Sequence, residues 1–390
     1  MTRSGSTIFN PLAVAQQTSD TPLAGILADR IQRTGPISFA EWMDACLYHP
    51  VHGYYRRGKP TVGRDGDFLT SPEIHPIFGA AVGHAAMELW RQLGQPDRFE
   101  IAEVGPGTGA LAESLLQHFH TTAPDLAAVT RYSLIEADPG TSHRQRERLR
   151  ALLPPSQIDS IPHIDELAGG YHLVLANELL DALPVHRLTF RDGVWQEVYV
   201  QHSAANGFHE IAGEVSDQAL LLPLQDVRPS ENQIVEVAPE RASIVRRLAH
   251  AVGDPGLLLL FDYGYSRERL YASWRRDGTL MTFRNHVPSD DPYGHPGEQD
   301  ITAHVDIDQI SDAVQASGLT PLPRLNQAEW LHRIGAAVLP AVADAEVDTS
   351  SYLAARRATE TLADPAGLGR VAVMGFTQGP IGSLPGWTAP

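Results

Sequence analysis

Phe99-Glu100-Ile101-Ala102-Glu103-Val104-Gly105-Pro106-Gly107-Thr108-Gly109-Ala110-Leu111 is the stretch whose reading decides the fold. An apolar run ends in a glycine-rich turn, and the turn opens a helical stripe through Leu111, Leu115, Leu116 and Phe119. Glycine lets a backbone turn sharply and approach a ligand closely, and the helix that follows offers its positive end. A strand, a glycine turn and a helix in that order form the first half of a βαβ unit.

Working outward, the same rhythm recurs. Tyr132 to Ile135 reads as a second strand, the region of Arg144 to Leu153 as a helix, and Ile158 to Ile161 as a weaker strand. Tyr171 to Ala176 is a buried strand, Ala238 to Val252 a helix capped by Gly253, and Leu257 to Phe261 another apolar strand. Strands alternating with helices predict an α/β, doubly wound, mostly parallel sheet with right-handed crossovers. Arg187 to Phe190, the turn Asp192-Gly193 and Val194 to Val200 read instead as a β-rich insert at about 186–235. Thr320 to Leu325 and Val371 to Phe376 are expected to close the sheet.

Upstream, Leu23, Ile26, Leu27 and Ile31 give a helical stripe stopped by Gly35-Pro36. Ser38 and Glu41 form a capping box before Phe39, Trp42, Met43, Cys46 and Leu47. A helix is expected from Ile77 to Leu93. The expected division is a leader over 1–21, a helical cap with a lid loop over 22–96, and a core over 97–390. That core carries the insert and a substrate-side loop at about 265–310.

Composition excludes several classes. The 390 residues suffice for a large core, and no apolar run reaches the roughly eighteen residues of a membrane span. With 30 basic and 47 acidic residues the net charge is −17, which repels nucleic-acid backbones. The lone Cys46 forms no internal disulfide and reads as a buried small hydrophobe in a reducing, cytoplasmic setting. The N-terminus lacks the apolar segment of a secretory signal. The histidines show no metal-ligand spacing; His304 with Asp306 is a weak H-x-D, and no metal is expected.

The glycine turn alone fits two cofactor classes, because Gly105, Gly107 and Ala110 also match the dinucleotide pattern. Glu103 tilts the reading. A carboxylate just before the first glycine suits the ammonium of a methionine moiety and repels a pyrophosphate. Glu136, ending the second strand, suits ribose hydroxyls in either case. Gly105, Pro106, Gly107, Gly109, Glu103, Glu136 and Asn177 are therefore the candidate cofactor-binding residues.

The chain also resembles the MidA-type methyltransferases, a family with mitochondrial members that methylate protein arginine and assist assembly of the proton-pumping NADH dehydrogenase. The resemblance rests on Gly53-Tyr54-Tyr55, Gly66 to Glu73, Phe78-Gly79, Glu103 to Leu111 and Asn177 to Val185. It continues through Glu236 to Pro239, Asp262 to Gly264, Gly278 to Leu280, Phe283-Arg284 and Asp300 to Asp306. It implies a class I methyltransferase fold with an N-terminal helical cap, S-adenosyl-L-methionine as cofactor and a protein acceptor, with a respiratory-complex subunit among the candidates. A small-molecule N- or O-methyltransferase and a non-catalytic assembly factor are the competing readings.

Ligands of open α/β sheets sit at the carboxyl ends of the strands. There Glu178 is the candidate clamp for an acceptor guanidinium, with Asn177 beside it and Asp181 either a second clamp or a helix cap. Tyr55, Asp67, Phe68, Thr70, Ser71, Pro72 and Glu73, on the long polar stretch from Gly53 to Pro76, read as a lid or as a self-bonded surface loop. His304 reads as part of the substrate-side loop.

Overall fold

The computed structural model describes residues 21–56, 63, 66–67, 69–338 and 349–387. The expected leader up to residue 20, and Phe68, lie outside the described residues. The chain divides into two compact units, each assembled from three separate stretches.

One unit comprises the described residues of 60–180, 242–264 and 310–390. Its sheet has eight strands. Ile158–Ile161, Thr130–Ile135, Phe99–Val104, Tyr171–Asn177 and Val252–Asp262 lie side by side in that order, all parallel. Ala372–Gln378 then runs antiparallel beside Val252–Asp262, and the short Thr320–Pro321 and Leu325–Asn326 pair with it. The reading of the five parallel strands and of Val371 to Phe376 holds, with ends moved by a few residues, whereas Thr320 to Leu325, read as one strand, is two separate two-residue strands. As a helix cap, Gly253 fails. It has no left-handed φ to cap the helix Pro239–Ala251, and the chain passes directly into the strand Val252–Asp262. A Cβ there would lie 3.2 Å from the backbone of Gly170. Close approach of two chains, not a helix stop, is what this glycine permits.

The strand order places the topological switch between Phe99–Val104 and Tyr171–Asn177. From the first strand the chain winds outward through Thr130–Ile135 and Ile158–Ile161, then returns to its other side. Beneath the sheet, Phe78, Phe261 and Trp330 form an edge-on aromatic cluster, each fully buried. Phe78 comes from the helix Ile77–Gln92, which packs on the helix Ala110–Thr122 through small residues. A Cβ at Gly79 would run into the Ser114 hydroxyl, and one at Gly83 would approach His118 Cδ2 to 3.0 Å.

That contact buries His118 to 8% exposure, and its Nε2 has no hydrogen-bond partner. Burial, with His84 nearby, pushes the imidazole down to about 4 from 6.5. The unfolded chain therefore binds the proton more readily between these two values. His118 should contribute stability that is complete above pH 6.5 and is lost as pH falls toward 4, on the order of 3 kcal/mol in all. Urea midpoints measured across that range should fall with acid in the wild type. In His118→Leu this component should be absent; an unchanged pH slope would remove His118 as its source.

The other unit comprises the described residues of 1–59, 181–241 and 265–309. It contains the helices Pro22–Thr34 and Phe39–Tyr48, the second opened by the full Ser38–Glu41 capping box. The expected insert is an antiparallel sheet of Ile37–Ser38, His186–Arg191, Val194–Ser203, Gly207–Gly213 and Ile234–Val237. Its first hairpin turns at Asp192 and Gly193, both left-handed, as the sequence predicts. Trp42, fully buried, packs on Phe208 and Tyr293 and donates Nε1–H to the Pro292 carbonyl. Cys46 is buried in the same helix.

Candidate active site

At the switch point the first parallel strand ends in a run of left-handed glycines: Gly105, Gly107 and Gly109 have φ of +66°, +55° and +82°. The turn is closed by Gly109 N–H donating to the Pro106 carbonyl at 2.8 Å, and anchored by Gly105 N–H on Ile135 of the next strand at 3.1 Å. A Cβ at Gly107 would meet no protein atom within 4 Å. The backbone there thus faces open space, and glycine is required by conformation rather than by crowding.

Glu103 sits one residue before the end of its strand and is almost fully buried. Its Oε2 accepts a 2.6 Å bond from the buried Tyr132 hydroxyl of the adjoining strand. Burial raises the carboxyl to about 7, and the Tyr132 bond opposes part of that rise. Glu136 follows the second strand. Its Oε1 accepts from Asp138 N–H at 2.8 Å and its Oε2 from the Gln145 amide at 3.3 Å. Gln145 also donates to the Gly107 carbonyl at 2.8 Å, while its own Oε1 is buried without a partner. It thereby ties the glycine turn to Glu136. Sequence reasoning missed it, although a signal exists: Gln145 and Leu149 are the buried residues of their helix, one turn apart. Beside Glu136 opens a pocket of about 350 Å³, lined by Ala137, Ser142, His143, Arg146 and Ser160 among others.

Across the switch, Asn177 closes its strand with Oδ1 buried and unpaired. Glu178 follows with φ +50°, a conformation that costs a non-glycine residue about 1 kcal/mol or more. Its N–H bonds to Phe261 of the neighbouring strand at 2.8 Å, and Oε1 accepts from Asn177 Nδ2 at 3.2 Å and Ser71 N–H at 3.4 Å. Asp262, which sequence reasoning quoted without a role, is buried and accepts from Leu180 N–H at 2.7 Å and Tyr263 N–H at 2.9 Å. One carboxylate thus fixes how two chains leave the sheet at this end.

The polar stretch after Gly53 is more structured than a loop reading implies. Tyr54–Arg56 forms a 3-10 turn and Ser71–Ile74, with Pro72 in its first turn, a short helix. Thr70 and Asp67 are buried. Ser71 donates Oγ–H to Gln327 at 2.8 Å, and Glu73 accepts from the Thr108 hydroxyl of the glycine turn. Ser71, Glu73, Thr108 and Glu178 are therefore brought together in the parallel-sheet unit.

Three candidates lie in the other unit. Tyr55 donates to Asp300 at 2.9 Å, and its ring stacks on Tyr48. Burial and the Asp300 charge push its hydroxyl far up. Asp181 is buried, and burial raises its carboxyl to about 6 against the opposing pull of Arg241. The helix-cap alternative for Asp181 fails, because the chain runs from a turn there into the strand His186–Arg191 and no helix begins. His304 has its N–H on Thr279 Oγ1 at 3.0 Å, its carbonyl on Arg241 and its ring against Tyr265. Among the described residues no group of three or more His, Cys, Asp or Glu side chains is placed to hold a metal.

The unpaired Asn177 Oδ1, the open face of Gly107 and the buried acid Glu103 converge on one end of the sheet. That pattern of acceptors beside open space fits a ligand carrying an ammonium group and a nucleoside. Comparison with known proteins agrees. The chain is 30% identical to "Protein arginine methyltransferase NDUFAF7 homolog, mitochondrial" of Drosophila melanogaster, over 89% of this chain and 82% of that one. It is 31% identical to "Protein arginine methyltransferase NDUFAF7, mitochondrial" of Xenopus laevis, over 75% and 69%. A crystal structure of a Burkholderia thailandensis protein bound to S-adenosyl-homocysteine superposes with a TM-score of 0.85 at 28% identity, covering 94% of each chain. Residues 81–324 match the family model described as "Putative S-adenosyl-L-methionine-dependent methyltransferase". The chain belongs to this S-adenosyl-L-methionine-dependent methyltransferase family, the one its sequence motifs resemble.

Proposed function

We propose that this methyltransferase modifies an arginine of a protein acceptor. The observation that carries the reading is Glu178, a carboxylate held in a strained backbone conformation at the switch-point strand end, beside an asparagine whose acceptor oxygen is unpaired. The printed names of the Drosophila and Xenopus relatives support the acceptor class.

When bound, the cofactor supplies an electrophilic methyl group on a sulfonium. The residues of this chain provide the rest. Glu103 and Asn177 Oδ1 receive the ammonium of the methionine moiety, the backbone of Gly105 to Gly109 lies along it, and Glu136 accepts from the ribose hydroxyls. An arginine acceptor stays protonated, with a pKa above about 12, so it must be gripped rather than deprotonated in advance. Glu178 fixes the guanidinium plane, aligns one nitrogen for in-line transfer and accepts the proton that this nitrogen gives up as its bond to the methyl group forms. A subunit of the respiratory NADH dehydrogenase is the acceptor class the resemblance suggests, and the lone Cys46 suggests a reducing, cytoplasmic compartment.

The test is mass spectrometry of arginine methylation in matched strains with and without the gene, paired with methyl-labelled cofactor and the purified protein. Protein arginine should carry the label, and at least one methylated site should vanish without the gene. Label found only in small metabolites overturns the acceptor assignment. For the cofactor site, Gly107→Val meets no crowding but strains a turn held at φ +55°, so the variant should melt lower than the wild type and its folded fraction should lose S-adenosyl-homocysteine binding at least about a hundredfold. Calorimetry on the folded variant checks this; unchanged affinity removes the turn from the site.

A further inference from the structure

Residues 265–277 carry four arginines against two acids, Glu268 and Asp277, in a chain whose net charge is −17. One of the four is committed internally: Arg267 donates Nε–H to Asp306 at 2.9 Å. Arg276 reaches only a backbone carbonyl, that of Glu231, at 2.8 Å. Arg269 and Arg275 make no ion pair among the described residues and rest on aromatic faces instead. Arg275 lies 4.7 Å from the Tyr265 ring centre and 4.9 Å from that of Trp274, and Arg269 lies 5.5 Å from Tyr265. Trp274 itself is 67% exposed, with Leu270 and Tyr271 buried just before it.

A guanidinium within about 6 Å of a ring centre is attracted by the negative face of the ring and still carries N–H donors that suit a carboxylate. Its rotamers are already restricted, so little further entropy is lost when a carboxylate arrives. Large exposed tryptophans flanked by arginine have the composition of interface hot spots. With Arg267 paired to Asp306, the other three arginines stand against Glu268 and Asp277 and leave an excess of about one charge. That suits a single carboxylate flanked by apolar groups and falls short of the dense phosphates of a nucleic acid.

We propose that Trp274, Arg275, Arg269 and Arg276 form a docking surface for an acidic, extended segment of a partner protein. A carboxylate of that segment pairs with the guanidiniums of Arg269 and Arg275, and an apolar side chain beside it covers the Trp274 indole. The surface does not depend on which acceptor the enzyme methylates.

The test uses the full chain and a fluorescent synthetic peptide of alternating Glu and Leu, about a dozen residues long, against its Gln-and-Leu counterpart. Polarisation should show the Glu peptide binding at least about tenfold more tightly, with affinity falling as salt rises. Trp274→Ala and Arg275→Glu should each weaken it about tenfold. Both variants should keep wild-type melting temperature and S-adenosyl-homocysteine affinity, which shows that folding is intact. Equal binding of the two peptides, or wild-type binding by both variants, overturns the proposal. So does tighter, Trp274-dependent binding of single-stranded DNA or of anionic phospholipid vesicles, which would assign the surface to a different partner class.

Discussion

Glu178→Gln is expected to lower methyl transfer at least about a hundredfold while leaving S-adenosyl-homocysteine affinity within a factor of about two. The amide keeps the size of the carboxylate, and its oxygen can still accept from Asn177 and from Ser71 N–H as Oε1 does. What changes is the other oxygen, which becomes an amide NH2. A glutamine places N–H donors where a guanidinium, itself donor-only, needs an acceptor. One misaligned, charge-assisted pair accounts for a loss of about 2.7 kcal/mol, which is that hundredfold. Turnover, cofactor affinity and melting temperature measured on one preparation separate the roles of this residue. If Glu178 serves only to hold the Ser71–Ile74 turn at the strand end, the variant melts lower and its folded fraction turns over normally. If cofactor affinity collapses together with activity, the carboxylate belongs to the cofactor pocket and the arginine clamp is wrong.

How far the sequence could be read follows from the range of the interactions involved. Leu173 to Ala176 in Tyr171–Asn177 and Leu257 to Phe261 in Val252–Asp262 are continuous apolar runs because both faces of a parallel sheet are covered, and that pattern is local. The capping box at Ser38 and the turn at Asp192-Gly193 are local too, and both appear as read. Gly253 misled because a glycine after a helix usually caps it, whereas here the approach of Gly170, more than eighty positions earlier, sets the requirement. Gly79 has the same character, since its reason is Ser114 on another helix. Gln145 and Asp262 went unassigned because their roles exist only once strand ends are neighbours. The assembly of each unit from three separate stretches has no local signature at all.

Binding of S-adenosyl-homocysteine is expected to strengthen fifty- to about a hundredfold between pH 5 and pH 7.5, with a midpoint near 7. The free protein holds the Glu103 carboxyl at about 7 because it is buried, and the Tyr132 hydroxyl only partly offsets that. On the proposed reading the ammonium of the ligand pairs with the carboxylate form, so below the midpoint each pH unit requires a proton to be displaced and costs up to tenfold in affinity. Calorimetry in buffers of different ionisation enthalpy should show release of close to one proton at pH 6. Stability of the free protein must move the other way. A carboxyl raised from 4.5 to about 7 contributes stability that is complete below 4.5 and is lost as pH rises through 7. Opposite slopes for folding and for binding, both traced to one residue, are hard to produce by a general effect of acid on the molecule. Two variants isolate the source. Glu103→Gln should bind weakly at every pH and show no midpoint. Tyr132→Phe removes the bond that favours the carboxylate, so its midpoint should move upward from that of the wild type. Affinity that is flat across this range in the wild type would mean that Glu103 stays a buried structural acid and never meets the ligand.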